Sequence, residues 1–290
     1  MDINFPLLLV IAVFVSGIVW LFDLAFLAKN RRQAIVAVDQ QFSELDVSEQ
    51  TEGSVYQVAR TRAEREPLMV EYAKSFFPVL FIVLILRSFL FEPFQIPSGS
   101  MIPTLEVGDF ILVNKFSYGI RLPVTRTKVI DINDPKRGDV MVFFPPHKPD
   151  TYYIKRVVGL PGDKIQYINN VLFINGELMP QKIVKARPPA NPEYIWTIEN
   201  LMGVEHQVRK AAVPGQLSRS GHWIVPAGHY FMIGDNRDDS FDSRGWALAT
   251  GDPSMSFVPE SAIVGKAFAV WMHWPKFLSI PSFSRVGSIQ

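Results

Sequence analysis

Three short stretches concentrate side chains that can do chemistry. The first is PSGSMIPTL, Pro97 to Leu105, where Ser98 and Ser100 flank Gly99 and a proline stands near each end. A serine there becomes a nucleophile only with a base beside it. None of the five histidines, His147, His206, His222, His229 and His273, lies close in sequence. The second stretch is YYIKRVVG, Tyr152 to Gly159, in which Lys155 and Arg156 interrupt an apolar run. Burying an ammonium costs several kcal/mol unless it is paired or neutral. Neighbours on a strand face opposite sides, so only one of the two need point inward. An edge strand with both charges turned outward is an equal alternative. The third is GDNRDDSFDSRG, Gly234 to Gly245, following the apolar run HYFMI. Its alternating acids suggest a calcium loop, but the closing glutamate is missing and two arginines stand among the acids. A surface network of ion pairs fits the same alternation.

These pieces combine chemically. A lysine serves as the base for a serine if its pKa is depressed; at the reference value only roughly one lysine in a few thousand is neutral at pH 7. An apolar wall of Tyr153, Ile154, Val157 and Val158 would favour the uncharged amine. The acid-arginine stretch can neutralise itself and Arg156, leaving Lys155 without a carboxylate to hold its proton. Ser240 offers a hydroxyl to orient a neutral amine. Pro97 and Pro103 limit the backbone freedom of the serine stretch, and Gly99 permits a tight turn.

Other chemistries find little support. The histidines show neither helical nor finger spacing for a metal and are expected at turns or the surface. There is no phosphate-cradling G-x-x-x-x-G-K-[ST] run, no S-x-x-K and no G-x-S-x-G elbow. Cysteine is absent, which excludes disulfides and thiol catalysis. With 29 basic against 28 acidic residues, bulk charge gives no reason to expect a nucleic-acid partner.

The elements that must position these residues fall into two groups. From Ile3 to Ala28 the chain is apolar apart from Asp23, and bases follow at Lys29, Arg31 and Arg32. About 20 apolar residues cross a bilayer, and a secretory signal would carry its bases first. Residues 1–28 therefore read as a retained transmembrane helix. Residues 29–74 form a charged loop, placed in the cytoplasm by the positive-inside rule. A second apolar segment over 75–93 reads as a second span, with Arg87 snorkelling to the interface. Residues 94–290, on the opposite side, read as mainly antiparallel β. DFILVNKF, GDVMVFFPP, YYIKRVVGL, KIQYI, HYFMI and AIVGKAFAVWMHW are strand candidates, and Asn169-Asn170 and Asn175-Gly176 are tight turns. Residues from about 181 to 221, rich in proline and charge, look like an excursion from the main sheet. Phe91, Phe94, Trp274 and Phe277 are aromatic candidates for the membrane interface, whereas Trp271 is expected in the core.

Taken in order, the two anchors, EPFQIPSGSMIPTL, RGDVMVF, YIKRVVGLPGD, GDNRDDSFDSR and IVGKAFAVW resemble bacterial type I signal peptidases of the Gram-negative, two-span form. The resemblance covers nearly the whole chain. It implies a serine endopeptidase of the inner membrane, its catalytic domain in the periplasm, that cuts secretory preproteins after a small-x-small sequence downstream of the secretion translocon. Ser100 matches the nucleophile and Lys155 the general base. Ser98 matches the hydroxyl that joins the Ser100 N–H in an oxyanion hole. Ser240 matches the serine orienting the lysine; Asp235, Arg156, Asp242 and Arg244 match the charged residues bracing the site. Such chemistry calls for no metal or cofactor.

Phe94, Ile96, Met101, Leu105 and Ile154 are expected to form shallow pockets for small side chains, with Pro97 and Tyr153 also lining the substrate site. A substrate's apolar segment would stay in lipid while its cleavage site is read as an extended strand. One departure from the family pattern is Asp239, where asparagine is usual; a carboxylate there would raise the lysine pKa unless it points away. Two alternatives are a silent β module binding extended peptides and a self-cleaving Ser-Lys repressor. The intact serines and lysine argue against the first, and the lack of a DNA-binding module argues against the second.

Overall fold

The computed structural model of the protein describes residues 5–43, 55–187, 193–215, 217–276 and 278–289. Asp2, Phe277, the middle of the charged loop and part of the expected excursion lie outside these residues. The chain divides into two compact units, Met1–Arg87 and Ser88–Gln290.

In the first unit the apolar run forms α1 (Phe5–Phe22) and continues through a π turn, Asp23–Leu27, into α2 (Ala28–Gln41). After α3 (Val55–Glu64), α4 (Leu68–Ile85) extends through a second π turn to Leu90. Both long helices are apolar and long enough to cross a membrane. Ile11, Phe14, Ile18 and Leu21 of α1, with Phe76, Val79 and Ile82 of α4, stay exposed, as side chains bathed in lipid would be. The two helices meet through Leu9, Val13 and Leu84, backed by Phe77 and Leu80. Gly17 admits the Phe77 ring, which a Cβ would meet at 2.9 Å. Asp23, the lone charge of the first run, is wholly buried and hydrogen-bonds Arg31 at 2.5 and 2.8 Å, with Lys74 at 3.0 Å. At the far end of α4 the Arg87 guanidinium lies 4.3 Å above the Phe5 ring.

Two boundaries differ from the sequence reading. The second long helix begins at Leu68, ahead of the apolar run, because helix-forming residues precede it. It stops at Leu90, and Phe91–Gln95 is a strand. Pro93 is acceptable there because this strand lies at a sheet edge, where a missing N–H is not needed.

The second unit is antiparallel β throughout its main sheet. Its strands are β1 (Phe91–Gln95), β2 (Asp109–Asn114), β3 (Val140–Phe143), β4 (Tyr153–Gly159), β5 (His229–Ile233), β6 (Val258–Pro259) and β7 (Ile263–His273). They are ordered β1-β2-β7-β3-β4-β5-β6, and Gly287–Ser288 adds to β7. A four-stranded sheet carries the meander Lys164–Ile168, Val171–Ile174 and Glu177–Leu178 beside Gly221–Ile224. Asn169, Asn170, Asn175 and Gly176 all take positive φ in its turns, as their sequence suggested.

The expected excursion is more regular than its composition indicated. It forms a three-stranded ribbon, Gln181–Arg187, Tyr194–Leu201 and Val204–Ala211. Trp271, expected in the core, is instead 37 % exposed and packs edge-on against Phe110 at 5.9 Å. Phe91, an interface candidate, is also exposed and meets Phe116 and Phe268.

Candidate active site

The serine stretch connects β1 to β2. Its base is closed by the Ile96 N–H to Asp109 carbonyl bond at 2.8 Å and the Gly108 N–H to Ile96 carbonyl bond at 2.9 Å. Met101 and Leu105, both 0 % exposed, dock into a core made with Ile111, Val140, Val142 and Ile154. Apolar burial on one flank thus fixes a single 3₁₀ turn, Gly99–Met101, that presents Ser100. The same burial revises the pocket expectation. Met101 and Leu105 have no surface to offer, and Ile96 almost none, so Phe94, Pro97 and Tyr153 carry the accessible apolar surface of that group.

β4 is not an edge strand. β3 pairs with it on one side, with Met141 opposite Lys155 and Val140 opposite Arg156, and β5 pairs with it on the other. Lys155 is 3 % exposed and Arg156 0 %. Both basic side chains therefore point into protein, from opposite faces of the strand. Arg156 forms a two-pronged pair with Asp235 at 2.8 and 2.7 Å and donates to the Gly138 carbonyl at 2.7 Å. Among the described residues Lys155 has no carboxylate partner. Its Nζ lies 2.7 Å from the Ser100 Oγ and donates to the Ile154 carbonyl at 2.8 Å.

Burial pushes the Lys155 amine down to about 8, against the pull of Asp242 and Asp235 and with help from Arg244. A neutral amine has two N–H groups and one lone pair. With one N–H spent on the Ile154 carbonyl, the lone pair can face the Ser100 O–H.

The Gly234–Gly245 stretch is internal, not a surface network. Asp235, Arg237, Asp238, Ser240, Asp242 and Arg244 are all buried. Burial would raise the Asp242 carboxyl, but Arg244, bonded to it at 2.8 and 2.7 Å, outweighs burial and holds it below the usual range. Asp235 is held down in the same way by Arg156. Arg237 forks onto Glu199 of the ribbon. Asp235, Asp242 and Glu199 are therefore each neutralised by an arginine, which keeps Lys155 from acquiring a counter-ion. Gly234 is required by close approach: a Cβ there would sit 2.2 Å from the Ser240 Oγ and 2.5 Å from the Ser100 carbonyl oxygen.

Ser98 lies beside Ser100, their Oγ atoms 3.5 Å apart. Among the described residues the Ser100 backbone N–H has no partner in the chain, so it is available to a ligand. The buried Ser240 hydroxyl makes no hydrogen bond to Lys155; in this structure the Ile154 carbonyl orients the amine instead. Asp239 has a 47 % exposed side chain and pairs with Arg209 at 3.3 Å. It therefore points away from Lys155.

Several residues close to the site escaped the sequence reading. The Thr104 hydroxyl donates to Asp235 at 2.5 Å and ties the serine stretch to the buried Arg156 pair. His206, expected at the surface, is buried between Glu199 at 3.6 Å and Asp235 at 3.8 Å. Burial first, and the nearby Arg156 second, push it down to about 4, so it is neutral. His147 packs against the rings of Tyr153, Phe241 and Trp246. The alternation of Tyr194–Leu201 points the other way: Trp196 and Ile198 make its apolar face, yet Thr197 and Glu199 are buried.

Comparison with known proteins identifies the family of the chain as a whole. The family model described as "Signal peptidase, peptidase S26" matches residues 69–274. A signal peptidase I of Pseudomonas fluorescens is 55 % identical over 298 residues, covering 100 % of both chains. That of Pseudomonas aeruginosa is 54 % identical, also over 100 % of both. One from Buchnera aphidicola subsp. Schizaphis graminum is 36 % identical over 97 % of each chain. With end-to-end identity of this level and a family match spanning most of its length, the chain belongs to the signal peptidase family, peptidase S26.

Proposed function

We propose that this protein is a membrane-anchored serine endopeptidase that removes N-terminal signal peptides from secreted preproteins, with Ser100 as nucleophile and Lys155 as general base. The observation that carries the residue assignment is the 2.7 Å separation between a buried, carboxylate-free lysine amine and a serine hydroxyl. The relatives' shared activity supports the substrate class.

In the acylation step the Ser100 Oγ attacks the scissile carbonyl carbon while its proton passes to Nζ of Lys155. The carbonyl oxygen becomes an oxyanion, held by the Ser100 N–H and the Ser98 hydroxyl. Collapse breaks the C–N bond, and the Lys155 ammonium gives its proton to the leaving amine of the mature protein. An ester between Ser100 and the signal peptide remains. Lys155, neutral again, takes a proton from water as the water oxygen attacks that ester. A second collapse returns that proton to Oγ and frees the signal peptide as a carboxylic acid, which loses its remaining proton to solvent. Two fixed donors at the oxyanion are worth a few kcal/mol each in the barrier, and holding the attacking oxygen in place contributes further.

The anchor reading rests on the two long apolar helices. Bases at Lys29, Arg31, Arg32, Arg60, Arg62, Arg65 and Lys74, between the two apolar runs, support a cytoplasmic loop and a periplasmic catalytic unit in the inner membrane. Substrates then arrive from the secretion translocon with the apolar signal in lipid. The test is cleavage of a preprotein by the detergent-solubilised full chain. Ser100→Ala and Lys155→Met are each expected to reduce cleavage to background while the thermal transition is kept. Residual activity within tenfold of wild type in either variant overturns the assignment.

A further inference from the structure

A hydrogen-bonded relay runs from the ribbon to the peptide unit that carries the Ser100 N–H. Asn236, 1 % exposed, holds the serine turn twice. Its side-chain Nδ2 donates to the Gly99 carbonyl at 2.8 Å, and its backbone N–H donates to the Ser100 carbonyl at 3.1 Å. The amide is itself oriented. Arg209, on ribbon strand Val204–Ala211, donates Nε–H to the Asn236 Oδ1 at 3.0 Å. A guanidinium only donates, so the amide oxygen must face Arg209 and the amide nitrogen must face Gly99. Arg209 is held in turn by its backbone N–H on the Asp235 carbonyl at 2.8 Å and by the Tyr194 ring, 4.2 Å from its guanidinium carbon.

A peptide unit is planar, and in the trans form its C=O and N–H point in opposite directions. Fixing the Gly99 carbonyl therefore fixes the direction of the Ser100 N–H. The Gly99 carbonyl also accepts from the Ile102 N–H at 3.2 Å, so Asn236 adds a second and shorter hold on a unit that follows a glycine, whose wide conformational range favours rotation of this plane. Resting on the Ser-Lys reading above, we infer that Asn236 and Arg209 are positioning residues for the oxyanion hole: they aim the Ser100 N–H by gripping the opposite side of its peptide unit. The ribbon thus takes part in catalysis without touching substrate.

The experiment uses the full-length protein in detergent with a signal-peptide substrate, and a peptide aldehyde of the same sequence as probe of the tetrahedral adduct. Removing an oxyanion donor outright costs about 10²–10³ in kcat, so a misaimed one should cost roughly 10–100-fold. Asn236→Ala is expected to lower kcat by that factor, leave KM within about twofold, and weaken aldehyde inhibition in proportion. The affinity for the cleaved signal peptide and the acid limb of the pH profile should stay in place. Arg209→Met should lose roughly tenfold in kcat, and Arg209→Lys, which can still donate to the amide oxygen, should recover most of it.

Wild-type kcat in Asn236→Ala, or a kcat loss without weaker aldehyde inhibition, overturns the inference. If Asn236→Ala fails to fold, the Arg209 pair decides, and equal kcat in its Met and Lys variants overturns it. Ser100→Ala separates the two layers. Cleavage by that variant defeats the Ser-Lys reading itself, whereas an inactive Ser100→Ala beside an unimpaired Asn236→Ala defeats only the relay.

Discussion

Placing a carboxylate opposite Lys155 should switch the enzyme off at neutral pH and restore it in alkali. Met141 is the cross-strand partner of Lys155 and is fully buried. Side chains directly opposite on paired antiparallel strands share a face, with Cβ atoms about 5 Å apart. Glutamate and glutamine are both close to methionine in size, so Met141→Glu compared with Met141→Gln isolates the charge. At about 5 Å and an effective dielectric constant of ~20, the ion pair is worth about 3 kcal/mol, or roughly 2 pH units on the lysine. The amine now sits at about 8, which leaves roughly 9 % of it neutral at pH 7. Moved to ~10, it would be only about 0.1 % neutral, a loss of roughly 100-fold in kcat/KM at pH 7. The sign follows from the role: the base works only when unprotonated, so raising its pKa moves the acid limb to higher pH. The assay is kcat/KM for a signal-peptide substrate from pH 6 to 10.5, with thermal melts to verify folding. The glutamate variant should regain most of the glutamine variant's activity above pH 10. Superimposable profiles for the two variants would refute the claim that a neutral Lys155 is the base.

Gly234→Ala should lose at least about 100-fold in kcat, because the new methyl collides with both the Ser240 hydroxyl and the Ser100 carbonyl; turnover within fivefold of wild type would contradict the packing. Asp239→Asn should shift the acid limb by less than about 0.3 pH units, since that carboxylate faces Arg209 and solvent. A shift of a full unit would mean that its charge reaches the amine. The fold should lose stability in acid. Although burial opposes it, Arg237 holds the Glu199 carboxyl down to about 2, so its contribution is present above its unfolded value and is lost as pH falls toward 2. His206, lowered by burial to about 4, must charge on unfolding below pH 6.5, which acts in the same direction. A fall in Tm of roughly 5–10 °C between pH 6.5 and pH 4 is expected by calorimetry, smaller in His206→Phe. A flat Tm over that range would count against the buried network.

Much of this molecule is written in local patterns. The apolar runs of the two long helices, the alternation in DFILVNKF and HYFMI, and the paired asparagines of the meander each describe their own conformation through side-chain period or turn chemistry. Lys155 stood out for a related reason: it sits in a strand too apolar to tolerate an unpaired ammonium. What stayed hidden depends on contacts between distant segments. Whether β4 is an edge or an interior strand is decided by β3 and β5, not by its own residues. The ribbon's three strands carry so many charges that their inward positions, Glu199 and His206 among them, look like solvent-facing ones until the catalytic loop supplies their partners. Ser240 and the Ile154 carbonyl make the same point. A backbone acceptor cannot be seen in a list of side chains, and here it takes the hydrogen bond expected of a hydroxyl.

The ribbon strand Val204–Ala211 presents residues inward at every second position, with His206, Val208 and Lys210 buried, while Arg209 bridges to Asn236. Deleting a single residue between Gly203 and Arg209 would slide the strand one step and exchange its two faces, carrying Lys210 into the place of the arginine. Insertions at the exposed Met202–Gly203 turn need not have that effect. The reading frame of this strand thus decides which side chain meets Asn236. Grafting loops onto this scaffold is safe only where that frame is left intact.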